Sequence, residues 1–104
     1  MKLYLDDKRD PPAGWVKVMC AKSAIAFLKS NSNITHISLD HDLGDDSKGT
    51  GYDVLLWIEE QTAILNYEPP EILIHTANPS ARIKMESAVE SINRLRIQRG
   101  NDTG

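Results

Sequence analysis

Apolar residues fall along the chain in short bursts, and the spacing inside each burst predicts its element. Lys2 to Asp7 reads as a short strand that stops on the pair Asp6–Asp7. The stretch 8–14, with Pro11-Pro12, must be a loop, because proline blocks helix and holds the preceding Asp10 extended. Trp15 to Cys20 is β-branched and partly alternating, a second strand. Ala21, Ala24, Ile25 and Leu28 recur at three- and four-residue steps, which predicts a helix over 22–30 that Asn31-Ser-Asn33 ends. Ile34 to Asp42 is a third strand, short and bounded by polar residues. After a loop over 43–51, Val54, Ile58 and Leu65, widened by Leu55 and Trp57, predict a helix over 52–66, capped by Thr50 or Gly51. Pro69-Pro70 leads into a fourth strand at 71–75. Asn78-Pro79 then opens a last helix whose apolar face is Met85, Ala88, Val89, Ile92 and Leu95. A single domain is expected over 1–97, with a flexible tail over 98–104.

The order is β-β-α-β-α-β-α. Helical crossovers place the last three strands parallel in one sheet. Seven residues between the first two strands are too few for a helical crossover. Those strands either pair antiparallel or are joined by a loop that crosses without a helix. In an open parallel sheet, ligands bind outside the carboxyl ends of the strands. Asp6–Asp7, Asp40-His41-Asp42 and His75-Thr76 all fall at such ends.

Composition narrows the function classes. A chain of 104 residues holds one small domain. No apolar run spans a membrane, and the N-terminus lacks a signal peptide's apolar core. The single cysteine, Cys20, excludes an internal disulfide or a Cys-based zinc cage. It reads as buried filler in a cytoplasmic protein. Net charge is −3 with no basic stripe, which argues against duplex DNA as a partner.

The strand ends carry the candidate chemistry. Any one of these aspartates is more often a turn residue or cap than a ligand, but Asp6, Asp7, Asp40 and Asp42 together would repel unless a cation sits among them. Mg2+ or another divalent ion is the expected cofactor. His41 lies between two carboxylates that can orient it for acid–base work. His75 precedes a helix N-terminus, where free N–H groups bind anions. A phosphate there would have His75 beside it, Asn78 at the cap and Arg82 one turn in. Lys8 and Arg9 can fold over the acids or stay in water. His36 reads as structural or incidental, on the opposite strand face from His41. That His41 and His75 act on one phosphate requires the third strand to have ended by Asp40.

The residues also resemble a family. An acid pair after the first strand, an Asp after the third and a hydroxyl residue after the fourth resemble the receiver domain of response regulators. That resemblance implies Asp6 and Asp7 as metal ligands, Asp40 as the phosphoacceptor position and Thr76 as the switch hydroxyl. It also implies a three-layer, flavodoxin-like α/β open parallel sheet in the order 2-1-3-4. The loop at 8–14 would replace the first receiver helix. The fifth strand, its lysine and the last helix are missing, and His41 and His75 are not receiver residues. Leu5-Asp-Asp-Lys-Arg-Asp-Pro-Pro12, Ser38-Leu-Asp-His-Asp-Leu-Gly44, Gly49-Thr-Gly-Tyr-Asp53 and His75-Thr-Ala-Asn-Pro79 more closely resemble the cyclic-phosphate-processing receiver-like domains. These are small bacterial and phage proteins from RNA-processing contexts. The resemblance implies a phosphoesterase-type hydrolase acting on an RNA 2′,3′-cyclic end or a cyclic nucleotide. Its catalytic residues would be His41, His75 and Asp40. Thr76, Asn78, Arg82 and Arg9 would bind phosphate, and Asp6, Asp7, Asp40 and Asp42 would bind metal. The alternatives are a non-catalytic module that binds a protein or phosphate ligand, and phosphoacceptor signalling at Asp40.

Overall fold

The computed structural model describes residues 1–102. Its elements are β1 (Lys2–Leu5), β2 (Trp15–Val18), α1 (Ala21–Ser30), β3 (His36–Leu39), a 3-10 turn (Asp46–Lys48), α2 (Gly51–Ile64), β4 (Glu71–Ile74) and α3 (Pro79–Asp102). The four strands form one sheet in the order β2-β1-β3-β4, and every pair is parallel. The loop at 8–14 therefore crosses from β1 to β2 without a helix, which settles the alternative that sequence alone left open.

Register explains which residues enter the core. Leu3 pairs with Val16 and Ile37, Leu5 with Val18 and Leu39, and Ile37 and Leu39 with Ile72 and Ile74. All therefore point to one face. Leu3, Leu5, Ile37 and Leu39 are fully buried there, against Ala24 and Leu28 of α1, Val54, Leu55 and Ile58 of α2, and Met85 and Ile92 of α3. Burying each large side chain contributes about 1.5–3 kcal/mol, and a one-residue slip would turn the whole set outward.

All three helices share this face, so the sheet has two layers rather than the expected three. The cause is topological. Right-handed crossovers from β2 to β3 and from β3 to β4 run the same way across the sheet and deposit α1 and α2 on the same side. α3 packs beside α2. Only the step from β1 to β2 runs the other way, and it carries no helix. The opposite face, with Lys2, Tyr4, Trp15, Lys17, His36, Ser38, Glu71 and Leu73, has no helix over it among the described residues.

Three local expectations change. Leu65 is not on the apolar stripe of α2; it is the C-cap and 67% exposed. Cys20 is not buried filler, because it sits at the N-cap of α1 with its Sγ 3.2 Å from Ser23 Oγ. The tail expected from 98 is helical as far as Asp102, and residues 103 and 104 lie outside the described residues. No helix among the described residues is long and apolar enough to cross a membrane.

Candidate functional site

β1, β3 and β4 end together. The Asp6 N–H donates to the Val18 carbonyl, Asp40 N–H to Leu5 and His75 N–H to Leu39, so the ladder runs one residue past each strand and stops. The chain then bends. Gly51, the first residue of α2, packs on the backbone of Asp40 and donates its N–H to the His41 carbonyl at 3.2 Å. A Cβ at position 51 would strike the Asp40 carbonyl oxygen, so only glycine brings α2 this close. Thr50 caps α2, and its N–H donates to the Asp53 carboxylate at 2.7 Å.

One carboxylate oxygen from each of Asp6, Asp7 and Asp40 lies within 4.8 Å of the other two. Asp6 and Asp40 are buried, at 1% and 7% exposure, and Asp7 is half-buried. Three hard oxygen donors on converging strand ends fit a divalent cation. They open into a cavity of about 180 Å3 lined by Asp6, Asp7, Lys8, Arg9, Asp40, Asp42 and Ala77. Larger hollows exist elsewhere, including one of about 520 Å3 between α2 and α3, but none gathers this chemistry.

Asp6 is both a turn residue and a site residue. Its Oδ1 accepts from the N–H groups of Lys8 and Arg9 at 2.8 and 2.9 Å, which folds the loop back over the strand end. Its Oδ2 meets His75 Nε2 at 3.0 Å and Arg9 Nη1 at 3.4 Å. Burial pushes the carboxyl up, but these donors outweigh it and hold Asp6 below the usual carboxylate range. Arg9 Nη1 also donates to the His75 carbonyl at 2.8 Å, tying the two strand ends together.

The histidines take separate positions. His75 stacks on Tyr4, with ring centroids 4.4 Å apart and planes 3° from parallel, so it lies on the side without helices. Its Nδ1 is 2.7 Å from Ser38 Oγ, and with Asp6 on Nε2 both ring nitrogens are engaged. His41 is 8% exposed, and its Nδ1 is 2.8 Å from Asp42 Oδ1. That bond is the main reason the Asp42 carboxyl stays low. His41 Nε2 is buried with no partner. β3 does end at Leu39, as joint action on one phosphate requires. Yet neither ring lines the cavity, and no hydrogen bond or ring contact joins the two among the described residues.

The other candidates divide similarly. Asp42 lines the cavity but is held by His41 and stands outside the cluster of three. Thr76 is 5% exposed and its Oγ1 accepts from the Asn78 N–H at 3.1 Å. Asn78 caps α3, its Oδ1 accepting from Ala81 N–H at 3.1 Å. Arg82 turns away to Glu86 and to the carbonyls of Ile74 and Thr76, all at 3.3–3.4 Å, and does not line the cavity. His36 pairs with Glu71 at 2.9 Å, in keeping with a structural role. Sequence reasoning left Ser38 and Tyr4 out of the site. Their only signal was position: both share the strand face of Asp6 and His75, by two-residue periodicity.

A search of curated proteins and a search of solved structures each return no match. A family model described as "Cyclic-phosphate processing Receiver domain" matches residues 1–91, from β1 into α3. With that match over most of its length, and with the 2-1-3-4 parallel sheet and its acidic strand ends, the chain belongs to the family of cyclic-phosphate processing receiver domains.

Proposed function

We propose that the protein opens a cyclic phosphate, such as an RNA 2′,3′-cyclic end or a cyclic nucleotide, in the acidic cavity at the C-terminal edge of the sheet. The reading is carried by the meeting of Asp6, Asp7 and Asp40, within 4.8 Å of one another, in a cavity that Lys8 and Arg9 also line. Carboxylates alone would repel a phosphodiester. Mg2+ or a similar ion, held by those three residues, would offset most of their charge and supply Lewis acidity at a phosphoryl oxygen. Lys8 and Arg9 would face the substrate's charge from the other wall. Asn78 and Thr76 would fix the start of α3 behind Ala77.

Ring opening consumes one water. An O–P bond forms, one ring P–O bond breaks, a proton leaves the water and a proton reaches the departing oxygen. Of the two histidines, His41 keeps a ring nitrogen without a partner, Nε2, with Asp42 on Nδ1, and it would carry the proton only with that buried nitrogen opened to the cavity. His75, with both nitrogens engaged, would instead hold Asp6 in place. A second reading, binding without turnover, draws support from the sealing of His41 Nε2 away from solvent. The surroundings would be cytoplasmic and the partner a phosphate-bearing small molecule or RNA end.

Phosphorus NMR on a panel of cyclic phosphates separates the two readings. The expected result is a monoester product in Mg2+, and none in chelator or with Asp40→Asn. Tight binding by calorimetry with no turnover of any compound would replace the enzyme by the binding module.

A further inference from the structure

The sheet face without helices is not a plain polar surface. Trp15 stands at the centre of a ring cluster, 6.3 Å from Tyr4 at an interplanar angle of 80° and 6.3 Å from His36 at 66°. Tyr4 in turn stacks on His75. The Lys2 ammonium lies 5.7 Å from the Trp15 ring centroid, and Lys17 shares the row of Tyr4 and Ser38. Glu71 is the one acid on this face below the strand ends, and His36 pairs with it. Below the strand ends, a chain of net charge −3 thus presents Lys2 and Lys17 against Glu71 on this face, and the row above adds Asp6.

Size and continuity suggest what covers it. Four strands spaced ~4.8 Å apart, four residues long at ~3.3 Å each, make a patch of roughly 14 by 13 Å, the scale on which four-stranded sheets stack two or three bases. The patch also leads into the acidic cavity. Asp6 and His75 form its top row, and Arg9 bonds both Asp6 Oδ2 and the His75 carbonyl there. A chain whose terminal phosphate enters the cavity would lay its preceding bases down this face. A second copy of the protein fits less well. A two-fold contact through the face would bury Lys2 and Lys17 with no free acid to meet them, because Glu71 is already paired with His36.

We propose that this face is a stacking platform for the last two or three nucleotides of a single-stranded RNA, with Trp15 and His36 as the stacking rings and Lys2 and Lys17 as the phosphate contacts. The choice of RNA rests on the proposed activity, since a 2′,3′-cyclic phosphate forms only on ribose. A base stacking on Trp15 displaces Lys2 from the ring and frees its ammonium for a phosphate. This gives the substrate a polymer, whereas the cavity alone would take any small cyclic phosphate.

The test is fluorescence anisotropy with a labelled uridine octamer ending in an ordinary 3′-hydroxyl, so that binding is read without any ring opening. Wild type should bind at low salt, and at least as tightly as it binds the matching deoxyuridine octamer, since stacking and phosphate contacts are common to both. Trp15→Ala should weaken binding by at least about tenfold, the scale of one lost stacked base. Lys17→Glu should weaken it several-fold and flatten its salt dependence. Thermal melts establish that each variant is folded, and the lysine variant keeps the test open if the tryptophan variant is not. Leu56→Ala, on the helical side, should bind as wild type does. No binding by wild type overturns the proposal, as does equal binding by both face variants or a preference for the deoxy octamer. Self-association that Trp15→Ala abolishes would assign the face to a second copy and overturn it too. No octamer binding by a wild type that still hydrolyses small cyclic phosphates would sink this proposal and leave the proposed activity standing.

Discussion

Asp40→Asn should make the metal-free protein more stable and the metal-loaded protein relatively less so. One oxygen from each of Asp6, Asp7 and Asp40 lies within 4.8 Å of the other two. At that separation a like-charge pair costs about 3.5 kcal/mol at an effective dielectric of 20 and about 0.9 kcal/mol in water. Asp6 is already answered by the N–H groups of Lys8 and Arg9 and by His75, and Asp7 is half-buried. The lower part of that range therefore applies, and removing the Asp40 charge should release about 1–2 kcal/mol. Asparagine keeps a side-chain oxygen for the His41 N–H, which Asp40 Oδ1 accepts at 2.8 Å, so little is lost in exchange. For a domain of this size, 1 kcal/mol moves Tm by about 4–8 °C. In chelator, Asp40→Asn should melt at least about 4 °C above wild type. In Mg2+ at about a hundred times Kd, wild type should gain about 2.7 kcal/mol and the variant distinctly less. Differential scanning fluorimetry over a Mg2+ series reads both effects. Equal melting in chelator would refute the reasoning about repulsion, and equal gains from Mg2+ would refute Asp40 as a ligand.

Gly51→Ala should cost about 1–3 kcal/mol or more, because the new Cβ meets the Asp40 backbone rather than a side chain that can swing aside. A urea midpoint equal to wild type would show that α2 is not held so close. His75→Ala should cost about 2–3 kcal/mol, since it leaves the oxygens of Asp6 and Ser38 short of a partner and removes the Tyr4 stack. Adding Ser38→Ala should then cost less than Ser38→Ala alone, and strict additivity in the double-mutant cycle would show that the pair is not coupled. At Cys20, hydrogen bonding from Ser23 holds the thiol below its usual range. Its alkylation rate should therefore reach half-maximum at a lower pH than that of an unperturbed thiol, and Ser23→Ala should move the midpoint up. An unchanged midpoint would count against the Ser23 contact.

Much of the fold was legible because local signals agreed with one another. The four strand segments, the Asn78-Pro79 start of α3 and the apolar stripes of Met85 and Ile92 each follow from spacing or capping chemistry, and the structure has all of them. The convergence of Asp6, Asp7 and Asp40 followed from the rule for strand ends. What failed to show was set by geometry beyond the local sequence. Arg82 stands one turn inside α3, as a phosphate ligand would, but its guanidinium finds the carbonyls of Ile74 and Thr76 instead. Leu65 fitted the helical period, but Asn66 takes a positive φ of 58° and the helix ends before the stripe does.

The layering and the placement of the histidines have one cause. Residues alternate across a strand, so the last residue in register sets a side: Asp6 and His75 follow Tyr4 and Leu73, whereas His41 follows Asp40 by one more step. If helices covered both faces, those two sides would be equally closed. Here the reversed step from β1 to β2 carries only a loop, and the sides become unequal. His75 lies on the side without helices, stacked on Tyr4 and 18% exposed, while His41 is shut in with Nε2 unpartnered. A strand end that looked like one pool of acids and imidazoles is thus divided by the sheet. The half that carries His75 opens onto Trp15 and His36, and the half that carries His41 stays sealed against water.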